Sequence, residues 1–277
     1  SLILAPMTRP VYCAMNLFHR EFGDSTKSPL LVLHGLLGSS RNWQGAGSDL
    51  GKHFHVHCLD LRNHGKSGHA FPHSYDAMRE DVIEWMKGRG IESGHLLGHS
   101  MGGKLAMKIA CENPEKVRRL VLVDILPKRY PGSQDSEYDS MNAIDLEKLG
   151  SRKEADQLLE KAVPDWGKRQ FLLTNLSRRK EGPGFCWVVN IKALEANQRE
   201  IEGSPLGPED RFEGETLFVM GGESKYSEPS DYPGLNRYFP NSVVEVMEES
   251  GHNPHFEFRG DFVSRVAKFL DVGYTVI

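Results

Sequence analysis

Residues 95–103 read His95-Leu96-Leu97-Gly98-His99-Ser100-Met101-Gly102-Gly103, an apolar segment running straight into a helix-prone one with G-x-S-x-G on the junction. The pattern predicts a strand that turns sharply into a helix and holds the Ser100 hydroxyl at the apex, in a strained backbone conformation. A side chain at position 98 or 102 would collide with the crowded turn. The predicted helix, from Met101 to about Cys111, directs its unpaired N–H groups back toward Ser100, where an oxyanion would form. Chance supplies such a Gly-Ser-Gly spacing in roughly one chain of this size in ten. The reading therefore depends on whether the rest of the sequence provides a base, an acid and an anion hole.

Outward from this junction, the sequence alternates strand and helix. Pro29-Leu30-Leu31-Val32-Leu33 is a continuous apolar run, as expected of a strand buried on both faces. It opens into His34-Gly35-Leu36-Leu37-Gly38, a Gly-rich loop ahead of a helix over about 41–50. The loop lacks the Lys-Ser/Thr of a phosphate cradle and the full dinucleotide fingerprint. An H-G-x-x-G loop after a central strand suits an oxyanion hole, with the Leu36 N–H as one donor and the Met101 N–H as the other. Further strands are expected at 14–20 (an edge strand), 53–60, 117–123, 216–220 and 243–247, with helices at 74–87 and 261–270. Such alternation predicts a parallel sheet wrapped by helices, with ligands at the carboxyl ends of the strands. Leu36, Ser100 and Asp124 all fall there. From 127 to 208 the alternation stops, and helical stretches around 137–149, 153–161, 167–176 and 190–197 read as a cap inserted over the site. Residues 1–126 and 209–277 then form the core. Phe171, in the cap, is a candidate to line an acyl pocket.

Size and charge narrow the function. The 277 residues suit one large α/β domain with an insertion, and the net charge of −4, without a basic cluster among aromatics, argues against nucleic-acid binding. No apolar run reaches the roughly 18 residues of a membrane span. The first five residues are too short for a secretory core and lack a basic flank, so that end is read as disordered. Cys13, Cys58, Cys111 and Cys186 are widely spaced without C-x-x-C, which fits reduced thiols in a cytoplasmic protein. His53, His55 and His57 alternate along one predicted strand and invite a metal hypothesis. With no carboxylate or Cys partner evident, they are expected to pack or face solvent, and no metal or organic cofactor is expected. Arg62 is expected to pair with Asp60 in the loop after that strand, with His64 a lesser candidate for a site role. Asp76, Glu80, Asp81 and Glu84 read as a solvated helix face.

A serine hydroxyl needs a neutral imidazole to take its proton and a carboxylate to orient that ring. In a G-x-S-x-G enzyme the order is Ser, acid, then His near the end. His252, in a loop after the last strand and preceded by Gly251, fits the base. His255 lies beside it, and His99 occupies the variable position of the turn, expected to point away from the hydroxyl. The sequence leaves two acids open, Asp124 and Glu223.

Several motifs carry a resemblance: Leu33-His34-Gly35-Leu36-Leu37-Gly38-Ser39, Asp60-Leu61-Arg62-Asn63-His64-Gly65, Gly98-His99-Ser100-Met101-Gly102-Gly103-Lys104, Val123-Asp124-Ile125, Gln170-Phe171-Leu172-Leu173 and Gly221-Gly222-Glu223-Ser224. Together they resemble the YbfF-type esterases of the α/β-hydrolase superfamily, whose animal relatives are the α/β-hydrolase-domain-containing proteins of type eleven. The resemblance implies an α/β-hydrolase fold, a mostly parallel eight-stranded type of sheet with a helical cap after the sixth strand. It implies a serine esterase acting on short- to medium-chain acyl esters, with thioesters also in range. The acid is then Asp124, at the end of the strand before the cap, and Ser224 adds a hydrogen bond to the His–Asp pair. Asn253 stands where many relatives carry Trp, so an aromatic wall of the acyl pocket is expected to be missing, and Asn253 and His255 are expected beside the substrate. The partner is a small acyl ester, and the chain is expected as a monomer or homodimer. Two other readings of the same residues are hydrolysis of a C–C bond in a diketone, and a ligand sensor with incidental turnover.

Overall fold

The computed structural model describes residues 15–131 and 135–272. In chain order it runs β1 (His19–Phe22), β2 (Pro29–Leu33), α1 (Gln44–Leu50), β3 (His55–Leu59), α2 (Tyr75–Gly88), β4 (Gly94–His99), α3 (Met101–Glu112) and β5 (Val117–Val123). An insertion follows: α4 (Asp135–Asn142), α5 (Arg152–Glu160), α6 (Trp166–Leu173), β6 (Leu176–Arg178), β7 (Phe185–Trp187), α7 (Ile191–Ala196) and α8 (Gln198–Glu202). The alternation then resumes with β8 (Thr216–Gly221), β9 (Ser242–Met247), α9 (Pro254–Glu257) and α10 (Arg259–Val272).

Among the described residues seven strands form one sheet in the order β1-β3-β2-β4-β5-β8-β9. Only β1 is antiparallel to its neighbour; the other pairings are parallel. Alternate side chains divide the core. Leu31, Leu33, Leu96, Leu120 and Leu122 pack with α2 and α3 on one face. Leu30, Val32, Leu97, Val121 and Val123 pack with α1 and α10 on the other. Burial on both faces is why these strands read as unbroken apolar runs rather than alternating ones.

The register fixes where the chemistry can sit. Leu33 pairs with Gly98, His99 with Val123, and Val123 with Val219. The residues just beyond β2, β4, β5 and β8 are therefore brought to one edge, where the strand order reverses around β2 and β4 and opens a crevice.

Some expectations need adjusting. The expected edge strand at 14–20 is found as β1, four residues long, and residues 1–14 lie outside the described residues. Among the described residues the sheet has seven strands and the insertion follows the fifth, where the resemblance implied eight strands and a cap after the sixth. The insertion is not all helix. β6 and β7 form a two-stranded hairpin whose Leu176 and Phe185 join Ile144, Leu149 and Leu159 in a small core of their own. Each hairpin strand has only three residues, too few to show a two-residue period in sequence.

The insertion is tied to the strand ends by polar contacts. Asn175 Nδ2 donates to the Leu37 carbonyl at 2.8 Å, and the Asn190 N–H donates to the Asn63 carbonyl at 2.8 Å. Lys104 Nζ, buried on α3, donates to the carbonyls of Ile201, Glu202 and Gly203 at 3.0, 2.9 and 2.7 Å.

Candidate active site

Ser100 sits between β4 and α3 with φ 52° and ψ −120°, a conformation that L side chains adopt only when their surroundings impose it. The surroundings do so. The Ser100 N–H donates to the Val123 carbonyl at 3.1 Å, and the Ser100 carbonyl accepts from Gly103 and Lys104. A Cβ on Gly98 would overlap the Gly102 carbonyl, and one on Gly102 would overlap the Leu33 carbonyl. Strand and helix can approach this closely only because both positions are glycine.

Asp124 follows β5, also at positive φ (45°), and is fully buried. Its Oδ1 accepts from the Gly221 N–H at 3.0 Å. Its Oδ2 accepts from His252 Nδ1 at 2.6 Å and from the Ser224 hydroxyl. A buried carboxylate with three donors is held in one orientation, and its charge is offset by hydrogen bonds as well as by any charge on the ring. Because Asp124 takes the proton-bearing Nδ1, the Nε2 of His252 is left as the basic nitrogen.

The His252 ring is fixed on two further sides. Tyr226 stacks on it, with centroids 3.8 Å apart and planes 11° apart. His99 Nε2 donates to the His252 carbonyl at 2.8 Å, with the two rings 4.7 Å apart. His99 is buried and its pKa is pushed well below the ordinary value by desolvation, so it is a neutral ring with its proton on Nε2. Being next in sequence to Ser100, it couples the turn to the loop that carries His252. Below that loop, Glu257 accepts from the N–H groups of Gly251 and Asn253, at 2.6 and 3.2 Å, and from the Ser250 hydroxyl at 2.9 Å. Among the described residues no hydrogen bond joins the Ser100 hydroxyl to His252; in unliganded enzymes this contact commonly tightens only with substrate.

The loop after β2 is held by two histidines whose tautomers follow from their partners. His34 Nδ1 donates to the Gly35 carbonyl at 2.8 Å, and its Nε2 accepts from the Leu61 N–H at 3.0 Å. His64 Nδ1 donates to the Arg62 carbonyl at 3.0 Å, and its Nε2 accepts from the Leu37 N–H at 3.2 Å. Desolvation lowers both pKa values, so both rings are neutral. Leu37, at φ 60°, is thus gripped from one side by His64 and from the other by Asn175. Among the described residues the N–H groups of Leu36 and Met101 have no hydrogen-bond acceptor, which leaves both free to bind an anion at the head of α3.

The structure thus brings Ser100, Asp124, His252, Ser224, Leu36 and Met101 to one mouth of the sheet, and corrects other expectations. Glu223 is exposed, and the carboxylate bonded to His252 belongs to Asp124. His255, expected beside the substrate, is buried and stacked on Trp43 at 3.9 Å and 6°, against Phe262. Asn253 is half-buried as the residue preceding α9, and Phe171 is half-buried against the core face that α2 and α3 cover. Arg62 does not pair with Asp60. It makes a bidentate ion pair with Asp81 (2.6 and 2.8 Å) that is buried on both sides, so Asp81 does not belong to the solvated face. Asp60 instead accepts from the N–H groups of Ser40 (2.6 Å) and Lys66 (2.8 Å). The sequence reading missed Tyr226, Glu257 and the role of His99. Tyr226, two residues past Ser224 in the same loop, could have been reached from that motif.

Residues 28–258 match the alpha/beta hydrolase fold family. The chain belongs to this family. As an alpha/beta hydrolase it is similar to the mouse "sn-1-specific diacylglycerol lipase ABHD11", 37% identical over 270 residues that cover 95% of this chain and 86% of the mouse protein. A putative esterase/lipase of Haemophilus influenzae is 31% identical, covering 91% of this chain and 85% of that one. In structure it is similar to a marine microorganism esterase, with a TM-score of 0.89, 33% identity and coverage of 93% of this chain and all of the other. The relation to the type-eleven animal proteins is thereby found, and the chain is a carboxylic ester hydrolase. Among the described residues no helix is long and apolar enough to cross a membrane.

Proposed function

We propose that this ester hydrolase works through an acyl-enzyme on Ser100. His252 Nε2 takes the proton of the Ser100 hydroxyl as its oxygen attacks the acyl carbon, and the oxyanion is held by the N–H groups of Leu36 and Met101. His252 then gives that proton to the leaving alcohol. It next activates water to release the acid, while Asp124 keeps the ring in its tautomer and balances the imidazolium. Ser224 and the Gly221 N–H orient Asp124. The observation that carries this reading is the 2.6 Å bond from His252 to a buried carboxylate beside a serine held at positive φ.

Residues 127–208 are the cap over this mouth, with 1–126 and 209–277 as the core, and Phe171 and Asn253 are the residues of the cap and of the His252 loop that face the acyl chain. Substrates are short- to medium-chain acyl esters, with thioesters in range. Glycerolipid esters deserve first trial, since the mouse relative is named a diacylglycerol lipase. The test is a rate profile on p-nitrophenyl esters from acetyl upward, with acyl-CoA and diacylglycerol alongside, for the natural chain and Ser100→Ala. The reading expects a maximum at short to medium chains and a loss of about 10⁴-fold or more in Ser100→Ala with the melting temperature kept. Unchanged turnover in Ser100→Ala defeats the mechanism, and a rising profile through long chains defeats the substrate range alone.

A further inference from the structure

At the far edge of the sheet, strands β1 and β3 carry a cluster of histidines that the proposed hydrolysis does not use. The two strands are antiparallel, with Glu21 opposite His57 and His19 opposite Leu59. In a strand, residues two apart share a face, so His19 and Glu21 on β1 and His55 and His57 on β3 project to the same side. The sequence brought His53 and His55 into register with His57 but showed no carboxylate. The fold replaces His53, which instead approaches Asp271, with His19 and Glu21 from the neighbouring strand.

We propose that His19, Glu21 and His57 form a binding site for a divalent transition-metal ion, zinc foremost, with His55 orienting the carboxylate. One ligand atom from each of the three residues lies within 4.8 Å of the others. A tetrahedral zinc with bonds of about 2.0–2.1 Å separates its ligands by about 3.4 Å. Closing the site takes small side-chain rotations, chiefly of the exposed Glu21. His57 is 98% buried by its 2% exposure, and neither of its ring nitrogens has a hydrogen-bond partner among the described residues. An unpartnered buried imidazole is costly unless something binds it.

The outer contacts fit as well. His55 Nε2 lies 2.6 Å from Glu21 Oε1, which leaves Oε2, 3.6 Å from His19 Nε2, facing the cluster. A ligating carboxylate is usually oriented by such a bond. Two imidazoles and one carboxylate are a borderline-soft set that suits zinc better than calcium or magnesium. The cluster opens onto a groove of about 510 Å³ lined by Glu21, His55, His57, Arg89 and Arg118, so an ion has a path in. Arg89 and Arg118, both lining the groove, oppose a cation, and Arg89 touches the cluster itself. Its guanidinium donates to His19 Nδ1 at 3.4 Å, and binding at Nε2 moves the ring proton to Nδ1 and displaces this exposed side chain. The groove is also lined by Pro29, Ser93 and Arg118, at the amino-terminal ends of β2, β4 and β5, the end of the sheet opposite Ser100. The ion would clamp the edge strand rather than join the reaction.

The test titrates ZnCl₂ into the chelator-treated, untagged full chain by calorimetry, with thermal melting and ester hydrolysis in parallel. One zinc per chain at micromolar affinity or tighter is expected, together with a rise in melting temperature. Glu21→Gln and His19→Ala, both on the edge strand β1, should weaken binding about tenfold or more while hydrolysis is kept. Arg89→Ala should tighten it. Absence of stoichiometric binding overturns the proposal, as does binding that Glu21→Gln and His19→Ala leave unchanged. His57→Asn should also abolish binding, but it is buried, so the two edge variants decide. Ser100→Ala must bind zinc as the natural chain does, which separates this test from that of the hydrolytic reading.

Discussion

Two regions of the sheet, the mouth around Ser100 and the β1–β3 edge, hold their histidines differently. At the carboxyl end, His34, His64 and His252 each have a protein partner that fixes the tautomer, and the buried Asp124 has three donors. Along the β1–β3 edge, His57 is buried and neither of its ring nitrogens has a hydrogen-bond partner among the described residues. A polar network that is satisfied in advance is rigid, and rigidity at Nε2 of His252 and at the Leu36 and Met101 N–H groups is what acyl transfer requires. A buried imidazole left without partners, as His57 is, is instead suited to receive something. Residue type alone does not separate the two; the count of partners does.

The strongest way to break the comparison lies at Asp124. Asp124→Asn should lower kcat by about 10³–10⁴-fold, because an amide in place of the carboxylate favours the wrong ring tautomer. Glu223→Gln should change it by less than about threefold, since that side chain is exposed and off the His252 ring. The reverse ranking, read from p-nitrophenyl ester kinetics, returns the acid to Glu223. His64→Leu comes next. It removes the acceptor of the Leu37 N–H without touching either free donor, so kcat should fall about tenfold, below the 10²–10³ of losing an oxyanion donor itself. An unchanged kcat would mean that Asn175 alone holds the loop.

Much of this was legible in sequence, and the rest has definite reasons. Ser100, His252 and the Leu36 loop stand in contiguous motifs whose local geometry is dictated by glycine spacing. The apolar runs of β2 and β5 are long enough to declare a buried parallel sheet. By contrast, the choice of Asp124 over Glu223 depends on which strand end lies nearer the ring, a distance no spacing encodes. Arg62 found Asp81 rather than Asp60 because α2 crosses back over that loop, a tertiary contact nineteen positions away in sequence. His255 looked like a site residue by proximity to His252, but α9 turns it onto Trp43. The metal-ligand cluster failed the sequence test for the same reason: its carboxylate comes from the antiparallel neighbour.

The smallest expected effect sharpens the energetic side. Burial and the nearby His252 charge push the pKa of His255 down to about 3, and burial pushes that of His95 down to about 4. Between these values and 6.5 the unfolded chain binds more protons than the folded one, so stability falls as pH drops from about 6.5 toward 4. His255→Phe, which keeps a ring against Trp43, should flatten that slope by one proton in melts across this range. An unchanged slope would mean that the buried ring is not neutral in the fold.

The central claim is that one hydroxyl, on Ser100, carries the acyl group. The most direct measurement is mass spectrometry after treatment with a fluorophosphonate, which phosphonylates an activated serine. The account predicts a single adduct, on the peptide containing Ser100, forming in step with loss of hydrolysis and absent from Ser100→Ala. Complete inhibition with the adduct elsewhere, or full hydrolytic activity in the Ser100→Ala protein, would contradict it.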